Sequence, residues 1–96
     1  MPSLHIATPI WKSEPLGDVL GAPVFLKMEA LQPVGSFKIR GMGHSCRMRC
    51  EAGAMRLICS SGGNAGYAVA YAGRKLGAGV TIVVPETTPE WTRGII

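Results

Sequence analysis

The chain has 96 residues, 47% of them apolar, and its mean hydropathy is +0.23. That is too short for two cores and too apolar for a disordered segment. Ten basic against 6 acidic residues leave a net charge of +4, and the interior-like composition reads as part of a larger protein.

Residues 1–23 hold Pro2, Pro9, Pro15 and Pro23, so regular structure before Val24 is confined to a short helix around Leu16 to Leu20. Val24-Phe25-Leu26-Lys27-Met28 predicts a mostly buried strand. Gln32-Pro33-Val34-Gly35 is a turn, after which Ser36 caps a helix running to about Ala52 and closed by Gly53. On that helix Arg40, Arg47 and Arg49, with Arg56 beyond it, raise the question of a nucleic-acid surface. No aromatic is interleaved among them, and Tyr67 and Tyr71 belong to a later helix, so a solvated helix face is the expectation and no nucleic-acid partner is assigned. Cys46, Cys50 and Cys59 are odd in number and match no disulfide framework. His5 and His44 lack metal-ligand spacing to them, which leaves buried free thiols in a reducing compartment and no metal.

Arg56 to Cys59 predicts a second strand, and Asn64 to Leu76 a helix with Ala65, Ala68, Val69, Ala72 and Leu76 on one face. Gly77 ends it. Val80-Thr81-Ile82-Val83-Val84 reads as a strand buried on both faces of a parallel sheet. Thr87, Thr88, Pro89 and Glu90 then signal a helix start, and that helix has no stop before Ile96, an expectation of truncation. Strands alternating with helices give the fold class, α/β with a parallel sheet and flanking helices. No apolar run is long enough for a membrane span and no leader pattern opens the chain, so a cytoplasmic protein without a membrane partner is expected.

Two motifs carry chemistry. In Gly35-Ser36-Phe37-Lys38-Ile39-Arg40 a lysine falls in the first turn of a predicted helix, where the positive end of the helix dipole disfavours an ammonium and favours the free, nucleophilic amine. The plain alternative is a surface lysine, with Phe37 a core residue. In Ser60-Ser61-Gly62-Gly63-Asn64-Ala65-Gly66 a glycine-rich link between strand and helix presents backbone N–H groups to an anion, with Ser60, Ser61 and Asn64 adding side-chain hydrogen bonds for a carboxylate or phosphate. Its plain alternative is a tight turn needing glycine for positive φ, with Asn64 as the cap. A dinucleotide site is a third possibility: Gly63, Gly66 and Glu86 fit that pattern, but Ser61 stands where its first glycine belongs.

Together these motifs resemble the pyridoxal-phosphate enzymes of fold type II, the tryptophan synthase β superfamily, and within it the animal serine dehydratase and serine dehydratase-like group. Pro33-Val34-Gly35-Ser36-Phe37-Lys38 is similar to the cofactor-lysine motif, and Ser60 to Gly66 to the substrate loop in the form typical of that group. Thr8-Pro9, Val24 to Lys27 and Val83 to Glu86 also fall where the family has similar stretches. The resemblance implies that Lys38 bonds pyridoxal phosphate and serves as the base at the substrate Cα. It implies that Phe37 packs on the pyridine ring, that Asn64 bonds the ring oxygen, and that Ser61, Asn64 and the N–H groups of Gly62, Gly63 and Ala65 hold the substrate carboxylate. The implied reaction removes the Cα proton and the β-hydroxyl of L-serine or L-threonine, giving an enamine that hydrolyses to a 2-oxo acid and ammonia. In family terms residues 1–35 are part of the larger domain and 36–96 part of the smaller one, with a homodimer as the full-length form. Val34 departs from the usual serine or threonine. The phosphate loop and the partner of the pyridine nitrogen fall beyond position 96, so catalysis by these 96 residues alone is not expected. A non-catalytic truncated isoform that pairs with full-length subunits is the alternative, and a small nucleotide-binding module the next.

Overall fold

The computed structural model describes residues 2–96. Strand β1 (Ile10–Lys12) pairs antiparallel with β2 (Phe25–Lys27), Trp11 opposite Leu26, and helix α1 (Glu14–Leu20) fills the connection. The proline-rich opening hides β1 because its pairing comes from a partner far along the chain rather than from local pattern. Helix α1 begins two residues earlier than Leu16: the Ser13 hydroxyl accepts the Leu16 N–H at 3.4 Å and Pro15 sits in the first turn. The expectation of a mostly buried strand at 24–28 does not hold. Phe25 is 60% exposed and Val24, Leu26 and Met28 are only half-buried, since among the described residues no helix makes more than slight contact with this two-stranded sheet.

A short 3-10 turn (Glu29–Leu31) leads through a tight turn to helix α2 (Lys38–Glu51). The Gly35 N–H donates to Gln32 O at 2.8 Å, and Gly35 takes φ 74°, a left-handed conformation that glycine adopts without penalty. That turn sends Ser36 inward. Ser36 therefore does not cap α2; Phe37, with helical φ −65° and ψ −15°, occupies the cap position and makes no side-chain capping bond.

Strand β3 (Arg56–Ser60), helix α3 (Asn64–Leu76) and strand β4 (Gly79–Val83) form the expected parallel βαβ unit, Leu57 opposite Val80 and Ser60 opposite Val83. Helix α3 packs on α2 and on one face of this sheet. The core joins Val34, Ile39 and Cys46 with Leu57, Ala68, Val69 and Ala72. Small residues set the approach distance: a Cβ on Gly73 would collide with the Val80 side chain. The opposite sheet face is bare, with Ile58 71% and Val83 52% exposed, so β4 is not buried on both faces as its apolar run predicts. The Cα positions span 49 × 36 × 15 Å, a plate rather than a ball. Helix α4 (Glu90–Ile95) starts after Pro89, within the expected start signal, and Pro85 to Thr88 closes a turn of its own before it, Thr88 N–H to Pro85 O at 3.0 Å. Among the described residues no helix is long and apolar enough to cross a membrane.

Candidate active site

Lys38 is the first residue of α2 and is half-buried, its Nζ 5.3 Å from the centroid of the Phe37 ring. Phe37 is 60% exposed, which overturns its reading as a core residue; the core position belongs to the next residue, Ile39, with no exposed surface. The first turn of α2 contains Lys38 and Arg40 but no acidic residue. Two cations at the positive end of a helix are mutually unfavourable there.

The compensating charge comes from outside the helix. The Arg40 Nε pairs with Glu29 Oε1, and Glu29 Oε2 accepts from Thr8 Oγ1 at 3.0 Å and from Gln32 Nε2 at 2.7 Å. Gln32 in turn fastens the Ile6 backbone, accepting its N–H at 2.9 Å and donating to its carbonyl at 2.8 Å. Lys27 Nζ donates to the Thr8 carbonyl. Arg40, then Gln32 and Thr8, hold the Glu29 carboxyl at a pKa of about 2, below its ordinary 4.5, against the opposing effect of desolvation. Arg40 therefore does not belong to the solvated arginine face expected from sequence. Arg56, on β3, is exposed and donates to Thr81 Oγ1 at 2.6 Å, and Arg49 on α2 is exposed as well.

At the second motif, β4 pins the loop where it leaves β3: the Ser61 N–H donates to Val83 O at 3.0 Å. The Ser61 hydroxyl accepts the Gly63 N–H at 3.2 Å and keeps its own proton free to donate. Gly63, not Asn64, is the N-cap of α3; Asn64 is the first helical residue and is exposed. The first intrahelical bond runs from Tyr67 N–H to Gly63 O at 3.1 Å, so the N–H groups of Asn64, Ala65 and Gly66 precede the hydrogen-bonded ladder. None of Gly62, Gly63 or Gly66 has positive φ. Glycine is required here for space: a Cβ on Gly66 would strike the Ser61 carbonyl, and one on Gly62 would lie 2.8 Å from Thr88 Oγ1. In front of Gly63 there is nothing within 4 Å. Glu86 lies beyond the end of β4, exposed, its carbonyl taken by Arg93.

The two helix starts are joined through one core. Ile39, beside Lys38, shares the cluster with Ala68 and Val69, one turn into α3. Among the described residues Lys38 makes no hydrogen bond to the 61–65 loop. The structure adds Glu29, Gln32, Thr8 and Ile6 to the surroundings of the α2 start, none of which sequence spacing pointed to. The polar residues at 29, 32 and 40 flanking the lysine were the available signal. Cys46 is buried and Cys50 and Cys59 half-buried, all as free thiols. Burial, then the neighbouring Cys50 and Cys59, pushes the Cys46 thiol up, against a smaller lowering by Arg49. Among the described residues no cluster of His, Cys, Asp or Glu could hold a metal ion.

Fold and helix starts thus define a parallel α/β unit with an amine at one helix N-terminus and a self-braced, glycine-rich turn with free backbone N–H groups at another. Residues 2–96 match the family model described as pyridoxal-phosphate dependent enzyme, and the chain belongs to that family. It is 56% identical over 90 residues to the L-serine dehydratase/L-threonine deaminase of Mus musculus, covering 94% of this chain and 28% of that protein. It is 58% identical over 84 residues to the serine dehydratase-like protein of Homo sapiens, covering 88% and 26%. The crystal structure of a fungal L-serine ammonia-lyase from Rhizomucor miehei superposes with a TM-score of 0.88 at 41% identity, over 98% of this chain and 30% of that one. The chain thus spans less than a third of the length of these relatives.

The residues present fit part of the demands of pyridoxal phosphate. Lys38 carries an amine of the kind that aldehyde requires. The Ser36 hydroxyl, two residues earlier in sequence, is buried and has no hydrogen-bond partner among the described residues, leaving polar capacity unspent. Val34, where the resemblance leads one to expect a hydroxyl, is instead core, 5% exposed.

Proposed function

We propose that the chain carries the lysine and substrate-loop portion of a pyridoxal-phosphate-dependent L-serine/L-threonine ammonia-lyase. The observation that supports this most is the shared core under the two helix starts, with Ile39 holding the Lys38 turn against Ala68 and Val69 of α3. In this reading Lys38 Nζ holds the cofactor through its aldehyde, the Phe37 ring packs on its face, and the Asn64 side-chain amide bonds its ring oxygen. Ser61 and the N–H groups of Gly62, Gly63, Asn64 and Ala65 bind and orient the substrate carboxylate at the positive end of α3. Lys38 removes the proton from substrate Cα, and its closeness to the bound substrate replaces a bimolecular encounter. When bound, pyridoxal phosphate supplies the electron sink that makes that proton acidic. Loss of the β-hydroxyl as water then gives an enamine, whose imine tautomer is hydrolysed by a water molecule to the 2-oxo acid and ammonia.

Residues 1–35 serve in this reading as part of a larger domain and 36–96 as part of a smaller one, in a chain that dimerises in its full-length form and works in the reducing cytoplasm. Titration of the chain with pyridoxal phosphate, followed by absorbance, tests the assignment of Lys38. Lys38→Ala is expected to abolish the absorbance change of the bound aldehyde while leaving the thermal melt nearly unchanged, since the side chain is half-buried and lies outside the core cluster. An unchanged absorbance response in Lys38→Ala removes Lys38 from the role.

A further inference from the structure

The start of α2 lacks what a helix start ordinarily has. Phe37 at the cap position makes no side-chain bond, the first turn has no acidic residue, and Lys38 and Arg40 both place positive charge where the helix dipole already does. Something else must hold this turn in place. Glu29, in the 3-10 turn before α2, meets three donors, Thr8 Oγ1, Gln32 Nε2 and Arg40 Nε, with its side chain only 17% exposed. The same arginine reaches the Ile6 carbonyl through Nη2 at 3.5 Å, and Gln32 clamps both the main-chain N–H and the carbonyl of Ile6. Residues from three separate stretches, 6–8, 29–32 and 40, thus converge on one carboxylate, and Arg40 is the only member on α2.

We infer that the Glu29–Arg40 pair is a latch that positions Lys38: it anchors the first turn of α2 to residues 6–32 and so sets where the amine stands relative to the rest of the site. The inference rests on the proposal that Lys38 is the reacting amine. Three features support a positioning role rather than a contribution to stability alone. The latch closes two residues from Lys38, on the adjoining part of the same turn. It supplies the negative charge that the first turn lacks, countering the Lys38 and Arg40 charges from a different element. It also spans the junction at residues 35–36, where the only covalent link is a turn through left-handed Gly35. Without the latch, that turn is free to reorient Lys38 while Ile39 keeps the helix attached to the core. Glu29 and Arg40 touch neither substrate nor cofactor in this account; they are positioning residues.

The test uses the 96-residue chain, pyridoxal phosphate as probe and borohydride to fix the product, with peptide mapping of each modified lysine. Lys75, near the far end of α3 with its Nζ 5.6 Å from the Tyr71 ring centroid, is the internal reference. Arg40→Ala is expected to lower the ratio of Lys38 to Lys75 labelling by about 10- to 100-fold, the usual consequence of an ångström-scale displacement of a reacting group. Arg40→Lys, which keeps the charge and loses the forked donor, falls between wild type and Arg40→Ala. Hydrogen exchange gives a readout independent of the cofactor: amides in the first turns of α2 exchange faster in Arg40→Ala, while those of α3 do not change. If Arg40→Ala fails to fold, Glu29→Gln, which keeps the shape and removes the charge, is read in the same way. A wild-type chain that labels its lysines indiscriminately sinks the Lys38 reading itself. A selective wild type whose variants retain the same ratio and the same α2 exchange overturns the latch alone.

Discussion

The starts of α2 and α3 solve the same problem in opposite ways. At α3 the devices are mostly local: Ser61 braces Gly63, glycines leave room for the backbone to pass, and the free N–H groups are those the helix itself leaves over, with one remote tie from the Ser61 N–H to Val83 O of β4. At α2 the devices are remote. The cap residue makes no side-chain hydrogen bond and the first turn supplies no anion; Arg40 of that turn is held by Glu29 and the Ile6 carbonyl, with Gln32 bracing both. A binding loop that meets its ligand with backbone groups can be built from consecutive residues. A single side chain that must stand at one point needs its helix fixed from elsewhere.

Three perturbations separate the two starts, in descending order of effect. Ile39→Ala removes the fully buried side chain through which both are joined and is expected to cost about 2–5 kcal/mol in urea denaturation. A cost near zero would mean that the helix starts are not held by a common core. Gly66→Ala forces a methyl against the Ser61 carbonyl, a backbone atom that cannot swing aside, at a cost of about 1–3 kcal/mol. Its hydrogen-exchange footprint is confined to the 60–66 loop and the first turn of α3. Acid acts on the α2 start through Glu29: its carboxyl, at about 2 in the fold against 4.5 ordinarily, contributes stability that is fully present above pH 4.5 and lost as the pH falls toward 2. Thermal melts between pH 2 and 6 check this. Glu29→Gln flattens that dependence, and an unchanged slope in the variant assigns the acid sensitivity to another carboxylate.

The same contrast explains what was legible in the sequence. Helix α3 has the limits its apolar spacing and Gly77 give, and β3 and β4 fall within a residue of expectation, because periodicity and glycine punctuation are local signals. The glycine-rich turn between β3 and α3 was legible for that reason, although its glycines prove to be needed for clearance rather than for positive φ. Strand β1 was not legible, since short exposed strands in proline-rich sequence are decided by their partner. Ser36 looked like a cap because serine before a helical pattern ordinarily is one; the left-handed turn at Gly35 turned it inward instead. Phe37 and Ile39 exchanged the roles that hydrophobicity suggests, the larger side chain standing in solvent beside Lys38 and the smaller filling the core. The Glu29–Arg40 pair was invisible to spacing, because an ion pair across a turn leaves no periodic trace.

The central claim, that Lys38 stands in a preorganised site, is tested most directly by mixing the purified chain with pyridoxal phosphate, reducing with borohydride and mapping the modified lysines by mass spectrometry. The account predicts selective labelling at Lys38, approaching one cofactor per chain. Labelling spread evenly over Lys12, Lys27, Lys38 and Lys75 would contradict it, leaving the motif in place but no site around it.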